Sequence, residues 1–149
     1  MSYAGQIIRW LNDYATDAKM KGFVVGISGG IDSAVTSTLC AKTGFPVVAV
    51  ALPINQDPKL NNLSKLQQEW LVANYSNVFT KVIDLSYTFD YFKDCVRSSQ
   101  LGWANSKARL RMAALYGVAA IHDSLVVGTG NKVEDFGVGF YTKYGDGGV

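Results

Sequence analysis

The sequence is poor in the residues that nucleophilic triads and most transition-metal sites need. It has one histidine, His122, and two cysteines, Cys40 and Cys95, in 149 residues. A single imidazole gives little support to a serine or cysteine triad, so His122 is expected to be a surface residue near a helix end. The cysteines lie far apart and form no Cys-x-x-Cys pair. They therefore predict free thiols in a reducing compartment rather than metal ligands.

The chain also lacks strong net charge and long apolar stretches. The formal net charge of +2 argues against a nucleic-acid groove and against an anionic membrane surface as partner. Val47–Leu52 is the longest apolar run and is much shorter than a membrane span. Residues 1–20 carry charges throughout and do not resemble a signal peptide. We expect a soluble cytoplasmic protein with no nucleic-acid or membrane partner.

The apolar pattern predicts alternating strands and helices in one domain, residues 1–149. Strands are expected at Phe23–Ser28, Val47–Leu52, Val78–Leu85 and Ser124–Thr129, and helices at residues 4–20, 32–42, 63–74, 87–99 and 103–122. This alternation is typical of an α/β fold with a doubly wound, Rossmann-like parallel sheet and helices on both faces. The glycine-rich stretch Phe136–Val149 is expected to be loop.

Ligands of such sheets bind at the carboxyl ends of the strands. That rule places the loops at residues 28–33, 53–57 and 129–134 on the functional edge. The first of them reads Ser-Gly-Gly-Ile-Asp-Ser and directly follows a strand. Its glycines allow a phosphate to approach the backbone N–H groups of the turn and of the helix start. Asp32 would face the same anion, which makes sense if a cation lies between them.

This turn is not one of the two common phosphate loops. It has no Gly-Lys-Ser/Thr ending, which the nucleoside-triphosphatase P-loop requires, and no Gly-x-Gly-x-x-Gly pattern. The plainer interpretation is a serine- and glycine-rich strand-to-helix turn capped by Asp32. That interpretation explains one glycine and the aspartate but not six consecutive positions. The segment resembles the SGGxDS pyrophosphate loop of the N-type ATP pyrophosphatases, which cleave ATP to AMP and pyrophosphate.

Two further segments narrow the resemblance. One is Asn-Ser-Lys-Ala-Arg-Leu-Arg-Met at residues 105–112, and the other runs from Val-Gly-Thr-Gly-Asn-Lys-Val-Glu at residues 127–134 to Lys143 and Asp146. With the pyrophosphate loop, and in this order, they resemble NAD synthetase in its ammonia-dependent form. The resemblance implies the adenine nucleotide alpha hydrolase-like version of the Rossmann fold and a homodimer.

The resemblance also implies an amide-forming ligase. The carboxylate of deamido-NAD attacks the α-phosphate of ATP, pyrophosphate leaves, and ammonia then displaces AMP from the acyl-adenylate. Magnesium is the expected cofactor, with ATP as co-substrate, and deamido-NAD, ATP and ammonia are the expected partners. Such a step depends on holding charges in place, so no residue of the chain is expected to act as a covalent catalyst.

Carried over residue by residue, the family motifs imply three groups of site residues. ATP is expected to contact Gly26, Ile27, Ser28, Gly29, Gly30, Ile31, Asp32, Ser33 and Thr129. Magnesium is expected to bind Asp32 and Glu134, and deamido-NAD to contact Asn105, Arg109 and Lys143. Ile31 is expected to point inward or sideways.

Other conspicuous side chains receive structural interpretations. Lys107 and Arg111 share a helix face that differs from the face of Asn105 and Arg109, and this face is expected to be solvated. Trp10, Trp70 and Trp103 occupy helical patterns and are expected in the core or at an interface.

The family sequence continues beyond the last residue of this chain, so we expect a chain truncated at its C-terminal end. Two alternatives stay open at this stage. One is another N-type ATP pyrophosphatase, of the GMP or asparagine synthetase type or a tRNA-thiolating enzyme. The other is a nucleotide-binding fragment without catalysis. Whether ammonia is free or delivered by a separate glutaminase is also open.

Overall fold

A computed structural model describes residues 2–139 and 141–146 of the chain. In chain order the elements are α1 (Tyr3–Asp17), β1 (Gly22–Gly26), α2 (Ile31–Ala41), β2 (Val47–Ala51), α3 (Pro58–Asn74), β3 (Val78–Val82), α4 (Ser86–Cys95), α5 (Gln100–Ile121) and β4 (Ser124–Val127). A short π-helical segment, Val133–Val138, follows β4. None of the helices described here combines the length and the apolar character that a bilayer crossing requires.

The four strands form one parallel sheet in the order β3-β2-β1-β4. β1 is central: Val25 pairs with Ala49 of β2 on one side and with Val127 of β4 on the other. Its side chains are almost entirely buried, because helices cover both sheet faces. The predicted doubly wound α/β fold is therefore confirmed.

Alternate residues of each strand enter two separate cores. The core on one face packs Phe23, Val25 and Ala49 against α1, α2 and α3. The core on the other face packs Val24, Val50 and Val126 against α4 and α5, with Leu115, Val118, Ala119 and Phe89 as its main helical contributors. α5 leads directly into β4, because only a two-residue turn at His122 and Asp123 separates the two elements.

Several predicted boundaries and side-chain positions differ from the structure. α3 begins at Pro58 rather than 63, because Asp57 accepts a hydrogen bond from the Lys59 N–H and Pro58 occupies the first helical position. Residues 136–138, expected to be loop, belong to the π-helical segment. Ile31 does not point inward, since it starts α2 with 74% of its surface exposed.

The tryptophans divide between the core and the surface. Trp103 packs against the α4–α5 core and makes an edge-on contact with Phe89, as expected of a core residue. Trp10 and Trp70 are about half exposed on α1 and α3. His122 ends α5 and is exposed, as predicted.

Candidate functional site

A cavity of about 430 Å³ lies at the carboxyl ends of β1, β2 and β4. Its lining comes from five stretches of chain: the β1–α2 turn, the end of β2 with Gln56, one face of α5, residues 127–135, and residues 145–146. The three loops that the sequence predicts on the functional edge all contribute to it. The rule that ligands of open parallel sheets bind beyond the strand ends thus points to the edge at which this cavity lies.

The β1–α2 turn is held by hydrogen bonds among its own serines. The Ser28 N–H donates to Ser33 Oγ at 3.3 Å, and the Gly30 N–H donates to Ser28 Oγ at 3.2 Å. Ser33 Oγ also lies 3.0 Å from the Gly30 carbonyl oxygen, and the Ser33 side chain is buried. Gly29 has φ of +84°, a conformation that favours glycine.

The first turn of α2 is open to an anion. Gly30 is its N-cap and has no side chain to accept hydrogen bonds from the following N–H groups. Those N–H groups and the positive end of the helix dipole therefore face the cavity mouth without a competing side-chain acceptor. Asp32, in the same turn, lines the cavity.

Asn131 joins this turn to the loop after β4. Its Nδ2 donates to Asp32 Oδ2 at 3.2 Å, while its Oδ1 accepts from the N–H groups of Val133 and Glu134 at 3.1 and 3.0 Å. One amide thus orients the Asp32 carboxylate and caps the turn that carries Glu134. Site prediction from the sequence did not include Asn131, although an asparagine three residues before an acid at a helix start is a capping signal.

Seven of the predicted ATP-binding residues line the cavity: Gly26, Ile27, Ser28, Gly30, Asp32, Ser33 and Thr129. Gly29 is within the same turn but its space is filled by α3, since a Cβ there would lie 2.8 Å from Leu63 Cβ. Ile31 is exposed and is not among the residues that line the cavity. Glu134 lines the cavity together with Asp32.

The residues predicted for deamido-NAD lie outside this cavity. Arg109, exposed on α5, donates from Nε to the Lys143 carbonyl oxygen at 3.0 Å and from a terminal nitrogen to Thr142 Oγ1 at 2.9 Å. Asn105 lies one turn earlier on α5, half-buried. The Lys143 ammonium lies over the Tyr144 ring, 4.9 Å from its centroid. The structure thus brings Arg109 and Lys143 together beside the middle of α5.

Arg111 is not on a solvated helix face, contrary to the sequence-based expectation. It is half-buried, lines the cavity, and donates from Nε to the Leu52 carbonyl oxygen at 2.9 Å. Burial lowers the pKa of its guanidinium from the ordinary value. Lys107 is also half-buried and lies over the Phe89 ring at 5.2 Å. The face was misjudged because α5 packs on α4 as well as on the sheet.

The donor set suits magnesium better than a transition metal. Among residues 2–139 and 141–146, no three His, Cys, Asp or Glu side chains form a cluster that could hold a metal by themselves. The cavity instead offers carboxylate oxygens from Asp32 and Glu134, with Asp135 and Asp146 also in its lining. Magnesium commonly takes one or two protein carboxylates and completes its shell with phosphate and water oxygens.

Comparison with known proteins places this arrangement in a family context. A family model described as NAD synthase matches residues 3–149. The chain is 40% identical to an NH3-dependent NAD+ synthetase from Mycoplasmopsis pulmonis, covering 99% of this chain and 56% of that protein. It is 35% identical to the same kind of enzyme from Carboxydothermus hydrogenoformans, covering 97% of this chain and 60% of that protein.

Solved structures give the same picture. An NMN synthetase from Francisella tularensis superposes with a TM-score of 0.88 at 33% identity, covering 97% of this chain and 59% of that one. An NH3-dependent NAD synthetase from Campylobacter jejuni, in complex with nitrate, superposes with a TM-score of 0.86 at 30% identity, covering 96% of this chain and 61% of that one. The chain spans 56–60% of the length of the sequence relatives named above.

Proposed function

Because this chain belongs to the NAD synthase family, we propose that it supplies the ATP-binding part of a ligase that converts deamido-NAD and ammonia to NAD. One observation carries the proposal: Asp32, Thr129 and Glu134, which are far apart in sequence, line a single cavity with the glycine-rich turn. The same positions correspond to the pyrophosphate loop and the magnesium carboxylates of the family motif.

The β1–α2 turn would bind the β- and γ-phosphates of ATP. The uncapped N–H groups at the start of α2 can each donate to a phosphate oxygen. Ser28 Oγ accepts from the Gly30 N–H and donates to Ser33 Oγ at 3.2 Å, so its hydroxyl would have to rotate away from Ser33 to donate to a phosphate oxygen. Thr129 offers another hydroxyl from the opposite loop.

Charge in the cavity explains why a divalent cation is needed. Asp32, Glu134, Asp135 and Asp146 all line it, and their carboxylates would repel the polyphosphate of ATP. Asp32 and Glu134 would hold magnesium, which when bound neutralises the phosphate oxygens and favours departure of pyrophosphate. Asn131 keeps the Asp32 carboxylate turned toward the Glu134 loop.

The reaction needs placement more than covalent help from the protein. An oxygen of the substrate carboxylate bonds to the α-phosphorus, the bond from that phosphorus to the bridging oxygen breaks, and pyrophosphate leaves with the electron pair. Ammonia then bonds to the acyl carbon, AMP leaves, and the extra proton passes to solvent. No side chain of the chain has to become covalently attached, and the cavity contributes positioning and electrostatic stabilisation.

We assign deamido-NAD to the part of α5 that carries Asn105 and Arg109, beside residues 142 and 143. Arg109 makes two hydrogen bonds to residues 142 and 143, which aligns its guanidinium and leaves further N–H groups for a diphosphate. Asn105 and Lys143 would contact the same ligand. We further propose that the protein is a cytoplasmic homodimer, as the resemblance to the family implies, and that free ammonia is its nitrogen source.

The test is calorimetric titration of the 149-residue chain with ATP and with deamido-NAD, each with and without magnesium, followed by a turnover assay. We expect magnesium-dependent ATP binding, and NAD, AMP and pyrophosphate formed in equal amounts when ammonium is added. ATP cleavage that needs a different acceptor would reassign the enzyme to another ATP pyrophosphatase. Binding of both substrates without turnover would favour the nucleotide-binding alternative.

A second substrate belongs in the same assay. The Francisella tularensis structure that superposes so closely is described as an NMN synthetase. Nicotinate mononucleotide carries the same reacting carboxylate as deamido-NAD but lacks the adenylate half. If Arg109 and Lys143 bind the diphosphate, deamido-NAD should be the better substrate. A preference for the mononucleotide would favour NMN synthesis instead.

A further inference from the structure

Arg111 has one hydrogen-bonded guanidinium nitrogen, Nε, and two terminal nitrogens that are free to bind a ligand. Its Nε donates to the Leu52 carbonyl oxygen, which directly follows β2. In the described part of the chain, neither of its terminal NH2 groups donates to a protein acceptor, and none of the three ion pairs includes it. The tip therefore presents four N–H donors to the cavity.

The guanidinium of Arg111 is partly buried without a paired carboxylate in the ranges that the structure describes, which favours binding of an anionic ligand. Burial withdraws the guanidinium from water and lowers its pKa, so the charge is not fully compensated where it lies. Among the described residues that line the cavity, Arg111 is the one cationic side chain, whereas four carboxylates line it. Asp32, Glu134 and Asp135 belong to the segments that follow β1 and β4, Asp146 lies in the segment that packs beside Ala108 of α5, and Arg111 is anchored to the end of β2.

Resting on the function proposed above, we propose that Arg111 hydrogen-bonds the α-phosphate of ATP. The turn at residues 28–33, with the start of α2, accounts for the β- and γ-phosphates. The next anionic group along the nucleotide is the α-phosphate, and β2 lies beside β1 in the sheet. Arg111 precedes Leu115 by one helical turn, and Leu115 lies beneath the end of β1, where a Cβ on Gly26 would be 3.2 Å from its Cδ1.

Such a contact has a chemical role at the reacting centre. When the substrate carboxylate oxygen bonds to the α-phosphorus and the bond to pyrophosphate breaks, charge on the non-bridging α-oxygens must be stabilised. A guanidinium whose Nε is already fixed to a backbone carbonyl meets these oxygens with little loss of side-chain freedom. Arg111 would also retain the adenylate while ammonia attacks.

Two substitutions separate the anchor from the charge. In Arg111→Gln the amide nitrogen occupies about the position of Nε, so the bond to the Leu52 carbonyl can form while the charged tip is lost. Arg111→Lys keeps a positive charge but loses the Nε donor. Lys107→Gln is the matched control, because it removes a charge one turn earlier on α5, over Phe89 and outside the cavity lining.

The experiment measures the dissociation constants of adenosine, AMP and magnesium–ATP for the 149-residue chain and these three variants. We expect Arg111→Gln to weaken AMP and ATP by a similar factor, about tenfold to a hundredfold as for a lost charge-assisted hydrogen bond. Adenosine binding should be unchanged, and Arg111→Lys should weaken AMP less than Arg111→Gln does. Lys107→Gln should leave all three constants unchanged.

Each other outcome has a definite meaning. Weakening of ATP alone would assign Arg111 to the β- or γ-phosphate, and equal weakening of adenosine would assign it to the base or ribose; both overturn the proposal. An unchanged AMP constant in Arg111→Gln overturns it as well. A parent chain that binds neither AMP nor ATP would instead refute the proposed function, so the two failures are distinguishable.

Discussion

Gly29 and Gly30 are neighbours in the same turn, but their backbones and surroundings differ. Gly29 has φ of +84°, and a Cβ there would lie 2.8 Å from Leu63 Cβ and 2.9 Å from the Ser64 nitrogen of α3. Gly30 has an extended backbone, and its Cβ would meet only Ser28 Oγ at 3.3 Å. Gly29 therefore serves the packing of α3 on the turn, whereas Gly30 keeps the start of α2 accessible.

We predict opposite consequences for substitution at these two glycines. Gly30→Val should abolish ATP binding while the unfolding midpoint stays close to that of the parent, because its side chain extends over the anion site. Gly29→Ala should lower the free energy of unfolding by roughly 1–3 kcal/mol, since it combines a left-handed backbone with contact against helix backbone. Urea unfolding and ATP titration measure the two effects. A Gly30→Val chain that binds ATP as tightly as the parent would contradict the phosphate assignment.

The two cysteines should differ sharply in reactivity. Cys40 is fully buried in the α1–α2–α3 core, and desolvation raises the pKa of its thiol from 9.0 to about 12, whereas Cys95 is exposed at the end of α4. At pH 8 we expect one thiol per chain to react rapidly with a disulfide reagent, and none in Cys95→Ser. Rapid reaction of two thiols per folded parent chain would show that Cys40 is accessible.

Burial of Cys40 also makes the free energy of unfolding decrease as the pH rises above 9. The folded pKa of Cys40 lies above the ordinary value, so the unfolded thiol loses its proton first as the pH rises. Stability from this group is full below about pH 9 and declines between pH 9 and 12. The free energy of unfolding, measured as a function of pH, should therefore fall less steeply between pH 9 and 12 in Cys40→Ala than in the parent.

At the scale of elements, the strands were the easiest part to predict. The apolar runs of β1, β2 and β4 are typical of strands covered on both faces, whereas β3 is an edge strand whose residues after Val78 are exposed. All four predicted strands are present. The start of α3 was harder, because residues 58–62 read as polar loop and the signal lay in Asp57 and Pro58 rather than in apolar spacing. Arg111 was missed for a different reason. Helical spacing groups it with Lys107, but the end of β2 and α4, distant in sequence, decide where that face points.

Arg109 connects α5 with residues 141–146 and is the place to test the substrate assignment. Arg109→Ala should raise the KM for deamido-NAD much more than the KM for ATP, because Arg109 lies outside the ATP cavity. Steady-state kinetics with each substrate varied in turn measures the difference. Thr142→Val is the matched control, since it removes one hydrogen bond of Arg109 and keeps the charge. An equal effect on both substrates would count against the deamido-NAD assignment.

At the scale of the whole molecule, ligand binding should be visible as thermal stability. At a hundredfold excess over its dissociation constant, magnesium–ATP should stabilise the folded chain by about 2.7 kcal/mol. For a chain of this size that corresponds to a rise in Tm of roughly 5–10 °C. ATP with a chelator should give a much smaller rise, because the four carboxylates of the lining then oppose it. A rise of equal size without magnesium would contradict the cation requirement.

The strand order has a consequence for how the chain acquires its binding site during synthesis. Gly22 of the central strand pairs with Ser124, and the cavity lining runs from Gly26 to Asp146. A nascent chain emerging from the ribosome therefore keeps one side of β1 unpaired until residues 124–127 of β4 have been translated. Nucleotide cannot assist the earlier stages of folding, since the loop that carries Thr129 and Glu134 arrives late. ATP in the cell would bind only after these residues have folded against β1, and it would then stabilise the molecules in which the site is correctly formed.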